Sequence, residues 1–157
     1  MSSATTFAPR TAAFRDGEVA LFELGQGPRL GYLHGVLGNP GAHPFLQALA
    51  QRHAVVAPSL PGFMPSPTRA DLRFLYDWVA AASEILDLTG LTGAPLVASS
   101  VGAMVALELA AVRPEAVYRD RDTGVTYPGA VLLHSGLPLD LPPGDHASAL
   151  VHLTRIS

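Results

Sequence analysis

The run Pro95-Leu96-Val97-Ala98-Ser99-Ser100-Val101-Gly102-Ala103-Met104 sets a serine between a short apolar segment and a run of helix formers. A strand, a tight turn and a helix in that order hold the serine hydroxyl out of a sheet, with the helix N-terminus behind it. The chemistry open to such a group is nucleophilic attack on a carbonyl. The turn is so sharp that side chains two before and two after the nucleophile meet their neighbours, so small residues belong there. Around Ser100 those positions are Ala98 and Gly102; around Ser99 they are the β-branched Val97 and Val101. Ser100 is therefore the candidate nucleophile. The other use of Ser99-Ser100 is to cap the helix, and these residues alone leave both uses open.

Two further segments bear on the same chemistry. In His34-Gly35-Val36-Leu37-Gly38-Asn39-Pro40 a turn follows an apolar strand. Such a turn can aim the backbone N–H of Val36 at the spot addressed by the N–H of Val101. Two convergent amides form an oxyanion hole, typically the largest single contribution to acyl-transfer catalysis. His34 itself reads as a structural histidine that bonds loop backbone and shapes the turn. The third segment is Ala57-Pro58-Ser59-Leu60-Pro61-Gly62-Phe63-Met64-Pro65-Ser66-Pro67, by itself a Pro-rich turn after a strand. Leu37, Phe63, Met64 and Trp78 hint at an apolar acyl pocket, although core packing accounts for Trp78 as readily.

The elements that must position these residues follow from pattern. Thr11 to Phe14 and Glu18 to Leu24 read as strands joined by an Asp16-Gly17 hairpin turn. After the turn Gly25-Gln26-Gly27-Pro28, Arg29 to Leu33 is a third strand. Strand and helix then alternate: helix Pro44 to Arg52, buried strand Ala54 to Ala57, Pro-rich loop Leu60 to Thr68, helix Asp71 to Leu88. In the last, Leu72, Leu75, Val79, Ala82 and Leu86 recur at spacings of three and four, the period of one helix face. Asp71 suits its N-cap or first turn. Strand Pro95 to Ser99 and a helix from Val101 to Val112, closed by Arg113-Pro114, come next. Glu115 to Pro128 is charged and turn-prone and reads as a surface excursion. Ala130 to His134 reads as a further buried strand. Short parallel strands joined by helices predict an α/β fold with right-handed crossovers. The expected organisation is a loose leader over 1–9, a core over 10–138 and an irregular tail over 139–157.

Composition sets the remaining bounds. The 157 residues form one domain by length and are 48% apolar and 15% charged, which suits a sheet covered on both faces rather than a disordered chain. The net charge of −3, with no run of Lys or Arg, gives nucleic acid and anionic lipid nothing to bind. The absence of cysteine rules out disulfides, thiolate metal sites and cysteine nucleophiles. The six histidines lack a ligand spacing such as His-x-x-x-His, so no metal or cofactor is expected. With no secretory h-region and no apolar run of transmembrane length, the expected compartment is the cytoplasm. No Gly-x-Gly-x-x-Gly or Walker sequence follows a strand, which argues against a nucleotide-binding domain.

In their order, Leu33-His34-Gly35, Leu60-Pro61-Gly62-Phe63 and Ala98-Ser99-Ser100-Val101-Gly102 resemble the N-terminal half of the α/β-hydrolase fold, and the resemblance covers residues 10 to 138. It implies a three-layer α/β/α architecture with a mostly parallel sheet, incomplete on its C-terminal side. It also implies a Ser100 acyl-enzyme, oxyanion donors at Val36 and Val101, and a small apolar acyl substrate carried on an ester, lactone, amide or related bond. The acid and histidine of this family follow the serine in the chain. Here the tail offers the acids Asp140 and Asp145 and the histidines His146 and His152, with Asp140 the conceivable acid and His152 the base if the tail folds back over the sheet. A full family domain is longer, so the expectation is a truncated form, with a non-catalytic hydrolase-like binding module as the alternative. Truncation would leave Val131-Leu132-Leu133 as an open sheet edge without a gatekeeping charge, which predicts self-association.

Overall fold

In the computed structural model, residues 9–41, 43–111, 115–138, 143 and 149–157 are described. They fall into two compact units, one up to Ala106 and one from Leu107 onward.

The first unit opens with strands β1 (Arg10–Phe14) and β2 (Gly17–Leu24). The hairpin turn lies one residue earlier than the Asp16-Gly17 pair suggests: Gly17 pairs with Phe14, leaving Arg15 and Asp16 as the loop. Arg15 carries the positive φ of 53°. Its guanidinium is held by Asp71 at 2.9 Å and Glu84 at 2.7 Å. Strand β3 (Arg29–Leu33), helix α1 (Pro44–Ala50), strand β4 (Ala54–Ser59), helix α2 (Leu75–Leu88), strand β5 (Leu96–Ala98) and helix α3 (Val101–Ala111) follow. The boundary between the units falls within α3.

The sheet order is β1-β2-β4-β3-β5. β2 runs antiparallel to both β1 and β4, while β3 is parallel to β4 and to β5. The sheet is therefore mixed, with β2 alone reversed. The crossovers β3-α1-β4 and β4-α2-β5 travel in opposite directions across it. The right-handed rule for such crossovers then puts α1 and α2 on opposite faces. Side chains alternate accordingly. Phe22, Leu24, Leu30, Tyr32, Val55 and Ala57 form one core layer with Leu46 of α1. The alternate positions Leu21, Leu33 and Val56 are also buried, as are Val79, Ala82 and Ile85 of α2. Burying one Leu or Val of this kind stabilises the fold by roughly 1.5–3 kcal/mol.

Helix α2 begins four residues later than its apolar period suggests. Asp77, three residues inside it, accepts from the amides of Arg73 and Phe74 at 2.8 Å each. That satisfies two donors which open a helix without partners. Asp71 is not the cap; it pairs with Arg15 and, at 3.0 Å, with Arg69. Two guanidinium groups within reach outcompete one helix amide for its carboxylate.

The second unit departs furthest from the sequence pattern. Glu115 to Pro128, expected as a surface excursion, contains the antiparallel pair β6 (Val117–Asp120) and β7 (Thr126–Pro128). The Asp120 carboxylate organises the turn between them, accepting from the Asp122 amide and the Thr123 hydroxyl at 2.9 Å each. Ala130 to His134, expected as a buried strand, lies inside helix α4 (Gly129–Ser135). A short apolar run fits a strand or a buried helix equally by period. Its one β-branched residue, Val131, does not outweigh alanine and leucines in a helix whose N-cap is Pro128. The open sheet edge expected at Val131–Leu133 is thus absent; the edges of the five-stranded sheet are β1 and β5. Within the region expected as an irregular tail, β8 (Leu153–Arg155) pairs with β6. Asp140, the expected acid, lies outside the described residues, as do residues 1–8 of the expected leader and Val112 to Pro114 at the expected close of α3. Among the described residues, no helix is long and apolar enough to cross a membrane.

Candidate active site

The topology itself points to a place. From β3 the chain moves to β4 on one side, yet the next strand, β5, lies on the other side of β3. Where connections diverge in this way, a crevice opens outside the carboxyl ends of the strands, and open α/β sheets bind ligands there. The residues leaving β3 and β5 at that crevice are His34-Gly35 and Ser99-Ser100.

Ser100 is exposed and has φ 52°. A left-handed backbone costs a non-glycine residue about 1–2 kcal/mol, so the surrounding structure must impose it. It does so through α3, whose Ala103 and Met104 amides donate to the Ser100 carbonyl at 2.9 and 3.2 Å. On the other side, the Ser99 amide donates to the Leu33 carbonyl at 3.1 Å. The chain therefore turns from sheet to helix at one residue. Gly102 permits that turn: a Cβ there would lie 2.5 Å from the carbonyl oxygens of both Leu33 and His34. Gly35 faces the serine, and a Cβ on it would lie 3.0 Å from Ser100 Cβ. Tyr32 and Ser99 share a hydrogen bond between their hydroxyls at 3.2 Å.

The loop after β3 is equally constrained. The Gly38 amide donates to the Gly35 carbonyl at 3.0 Å, closing a turn over Val36 and Leu37. The Val36 amide sits one peptide beyond the contact with Ser100. Among the described residues, no acceptor is found for the Val36 or the Val101 amide. His34 is fully buried. Its Nδ1 lies 2.8 Å from the Gly35 carbonyl and its Nε2 accepts from the Leu60 amide at 2.9 Å. The proton therefore resides on Nδ1, and both ring nitrogens are engaged. Burial pushes its pKa below the ordinary histidine value, keeping the ring neutral. The ring of Phe63 packs edge-on at 4.8 Å. His34 thus ties the loop after β3 to the loop after β4, the loop-shaping role expected from sequence.

Four residues with positional roles carried no clear sequence signal: Asn39, Ser59, Ser66 and Tyr32. Asn39 donates to the Ala57 carbonyl at 2.8 Å and accepts from the Gly41 amide at 2.9 Å. The Ser59 hydroxyl reaches the carbonyls of Phe63 and Met64 at 2.8 Å each. Ser66 donates to the Ser59 carbonyl at 2.6 Å and accepts from the Ala20 amide at 2.9 Å. Serines at both ends of a Pro-rich turn are the faint clue, since short hydroxyls bond nearby backbone. Phe63 and Trp78 line an apolar cavity beside the elbow. Leu37 and Met64 instead stand almost wholly in solvent.

Among the described residues of the first unit, no histidine bonds to Ser100. His43 accepts from the Phe45 amide at the start of α1. His53 precedes β4, at the opposite end of the sheet from the crevice, with a buried Nδ1 that has no partner. His152 lies in the second unit, exposed, its carbonyl accepting from the Arg121 amide at 2.9 Å. The described residues contain no cluster of three histidine or acidic side chains that would hold a metal.

Comparison with known proteins agrees with this layout. The family model of the alpha/beta hydrolase fold matches residues 28–119, which include all three loops at the crevice. That for the glycosyl hydrolase family 36 C-terminal domain matches residues 97–153. The chain is 36% identical over 104 residues to a pimeloyl-[acyl-carrier protein] methyl ester esterase of Aeromonas hydrophila subsp. hydrophila, covering 64% of this chain and 39% of that protein. It is 34% identical over 118 residues to a 2-hydroxymuconate semialdehyde hydrolase of Pseudomonas sp. strain CF600, covering 69% and 41%. The chain thus spans about two fifths of the length of these curated relatives. Among solved structures, a bacterial membrane phospholipase A superposes with TM-score 0.62 at 25% identity, covering 69% of this chain and 36% of that one. The haloalkane dehalogenase DbeA of Bradyrhizobium elkani USDA94 superposes with TM-score 0.61 at 26% identity, covering 69% and 38%. With the sheet order, the switch-point crevice and the match over residues 28–119 in agreement, this chain belongs to the alpha/beta hydrolase fold family.

Proposed function

We propose that this chain carries the nucleophile and oxyanion hole of a serine hydrolase acting on an ester, lactone, amide or related bond. The observation that carries this reading is the left-handed backbone at Ser100, an exposed serine held in strain at the switch point. Strain of this kind gathers at functional sites. A residue that merely capped the helix would not need it.

In the proposed reaction, Ser100 Oγ attacks the carbonyl carbon and loses its proton to a base. Negative charge gathers on the carbonyl oxygen, and the Val36 and Val101 amides donate to it. The leaving group departs with a proton, and water then hydrolyses the acyl-enzyme. His34 takes no proton in this scheme, because its only lone pair is already bonded to the Leu60 amide. For the base and acid of this scheme the sequence offers His152 and Asp140.

The second reading is a hydrolase-like binding module, favoured by the lack, among the described residues, of a hydrogen-bond partner for the Ser100 hydroxyl. A fluorophosphonate probe separates the two. Covalent labelling that persists in Ser99→Ala and vanishes in Ser100→Ala is the expected result. A folded chain that takes no label supports the binding module.

A further inference from the structure

Ser99 is exposed at the crevice, and the proposed reaction gives it no task. Its backbone is fixed on both sides. The amide donates to the Leu33 carbonyl at 3.1 Å, and the carbonyl accepts from the Gly102 amide at 3.0 Å. Its side chain is held by Tyr32, whose hydroxyl lies 3.2 Å from Ser99 Oγ. Tyr32 is itself buried, at 7% exposure. It belongs to the core layer with Leu46, and Phe45 packs edge-on against its ring at 6.1 Å. Among the described residues, Ser99 Oγ is the one partner of the Tyr32 hydroxyl. A phenol is more acidic than an alcohol and so is the better donor of the two. Tyr32 therefore donates and Ser99 Oγ accepts, which directs the Ser99 hydrogen away from Tyr32. Among the described residues no acceptor is found for that hydrogen. Ser99 Oγ and Ser100 Cβ approach one common point: they lie 3.5 and 3.0 Å from the place a Gly35 Cβ would take. The free donor thus emerges beside the nucleophile.

We infer that Ser99 determines specificity: its hydroxyl donates to an oxygen on the carbon next to the reacting carbonyl, so the preferred acyl group is α-alkoxy, α-hydroxy or α-keto. The inference rests on Ser100 being the nucleophile. The carbonyl oxygen itself is served by the Val36 and Val101 amides. A hydrogen bond from Ser99 Oγ spans about 2.7–2.8 Å, which reaches the neighbouring atom of a substrate seated on Ser100. Tyr32 is the positioning residue. It locks the Ser99 side chain in one orientation and, by donating to its oxygen, polarises it into a stronger donor. A preset donor of this kind discriminates. A substrate with an oxygen at that place pairs it, whereas one with a methylene displaces its water and leaves the donor unpaired.

Two fluorophosphonates of equal chain length test it. One carries pentyl on phosphorus; the other carries propoxymethyl, in which an ether oxygen replaces the second methylene. Labelling of the full chain is read as the ratio of the ether rate to the alkyl rate, because any intrinsic difference between the probes is common to all variants. In Ser99→Ala the ratio should fall by about 2- to 10-fold. Ser99→Thr, which keeps a hydroxyl, should retain it. Tyr32→Phe keeps the buried ring and loses the polarising donor, so it should lower the ratio in the same direction. It also covers the case in which Ser99→Ala misfolds. A ratio unchanged in both Ser99→Ala and Tyr32→Phe overturns the inference and leaves the nucleophile standing. A folded chain that neither probe labels removes the nucleophile, and the assignment of Ser99 with it.

Discussion

At the scale of single residues, the sharpest feature is the contrast between two adjacent serines. Ser100 sits at φ 52° and Ser99 does not share the left-handed conformation. Replacing Ser100 by glycine removes the conformational penalty, of about 1–2 kcal/mol, against an added unfolded-state entropy of roughly 0.5–1 kcal/mol. Ser100→Gly should therefore be neutral to about 1 kcal/mol more stable in urea unfolding, and fluorophosphonate labelling should be lost. Ser99→Gly has no strain to release and loses a hydrogen bond to Tyr32, so it should be destabilised. If Ser100→Gly is the weaker of the two, the elbow strain is not what the backbone indicates. That the chain turns at Ser100 and not at Ser99 was legible beforehand, because Gly102 is the small residue that such a turn requires. Why it must be glycine was not legible: the obstacles are the carbonyls of Leu33 and His34, far away in sequence.

At the scale of elements, the loops after β3 and β4 are joined through a buried, neutral histidine. Its folded pKa is pushed below the ordinary value by desolvation. In the unfolded chain His34 takes up a proton near about pH 6.5, while the folded chain resists it. The unfolded state thus binds more protons below that pH, and stability falls as pH drops through this range. It is fully present above it. The slope from this one group is at most about 1.4 kcal/mol per pH unit. Urea midpoints measured from pH 7.5 down to pH 5 should fall more steeply for wild type than for His34→Asn. Parallel profiles would mean that His34 is free to protonate in the folded chain. The sequence pattern placed the strands and helices of the first unit, since buried faces impose periods of two and of 3.6. It misplaced the start of α2, because a cap is chosen by which carboxylate reaches the free amides. Asp77 reaches them, and Asp71 is drawn to Arg15 and Arg69 instead.

At the scale of the whole molecule, the open question of chemistry is the base. A general base contributes about 10²- to 10⁴-fold to a step of this kind, and the described residues of the first unit present none to Ser100. Labelling by a fluorophosphonate should therefore be slow, and millimolar imidazole should speed it several-fold, with a pH dependence that follows the imidazole pKa. If imidazole has no effect and His152→Ala or Asp140→Ala slows labelling, the chain supplies its own base. The family match ends at residue 119, and the second unit is where expectation and structure parted. A strand expected at Ala130 to His134 is a helix, and a segment expected as a charged excursion is a hairpin. By itself, the sequence determined the fold family and the nucleophile candidate, because the ordered motifs around His34, Gly62 and Ser100 express local steric needs that few residues meet. Tertiary structure alone decided what surrounds them. The Asn39 bond to Ala57, the two-sided engagement of His34 and the cavity beside Val101 all join residues distant in the chain. Contacts of that kind are set by how the sheet brings strand ends together, and no local pattern encodes them.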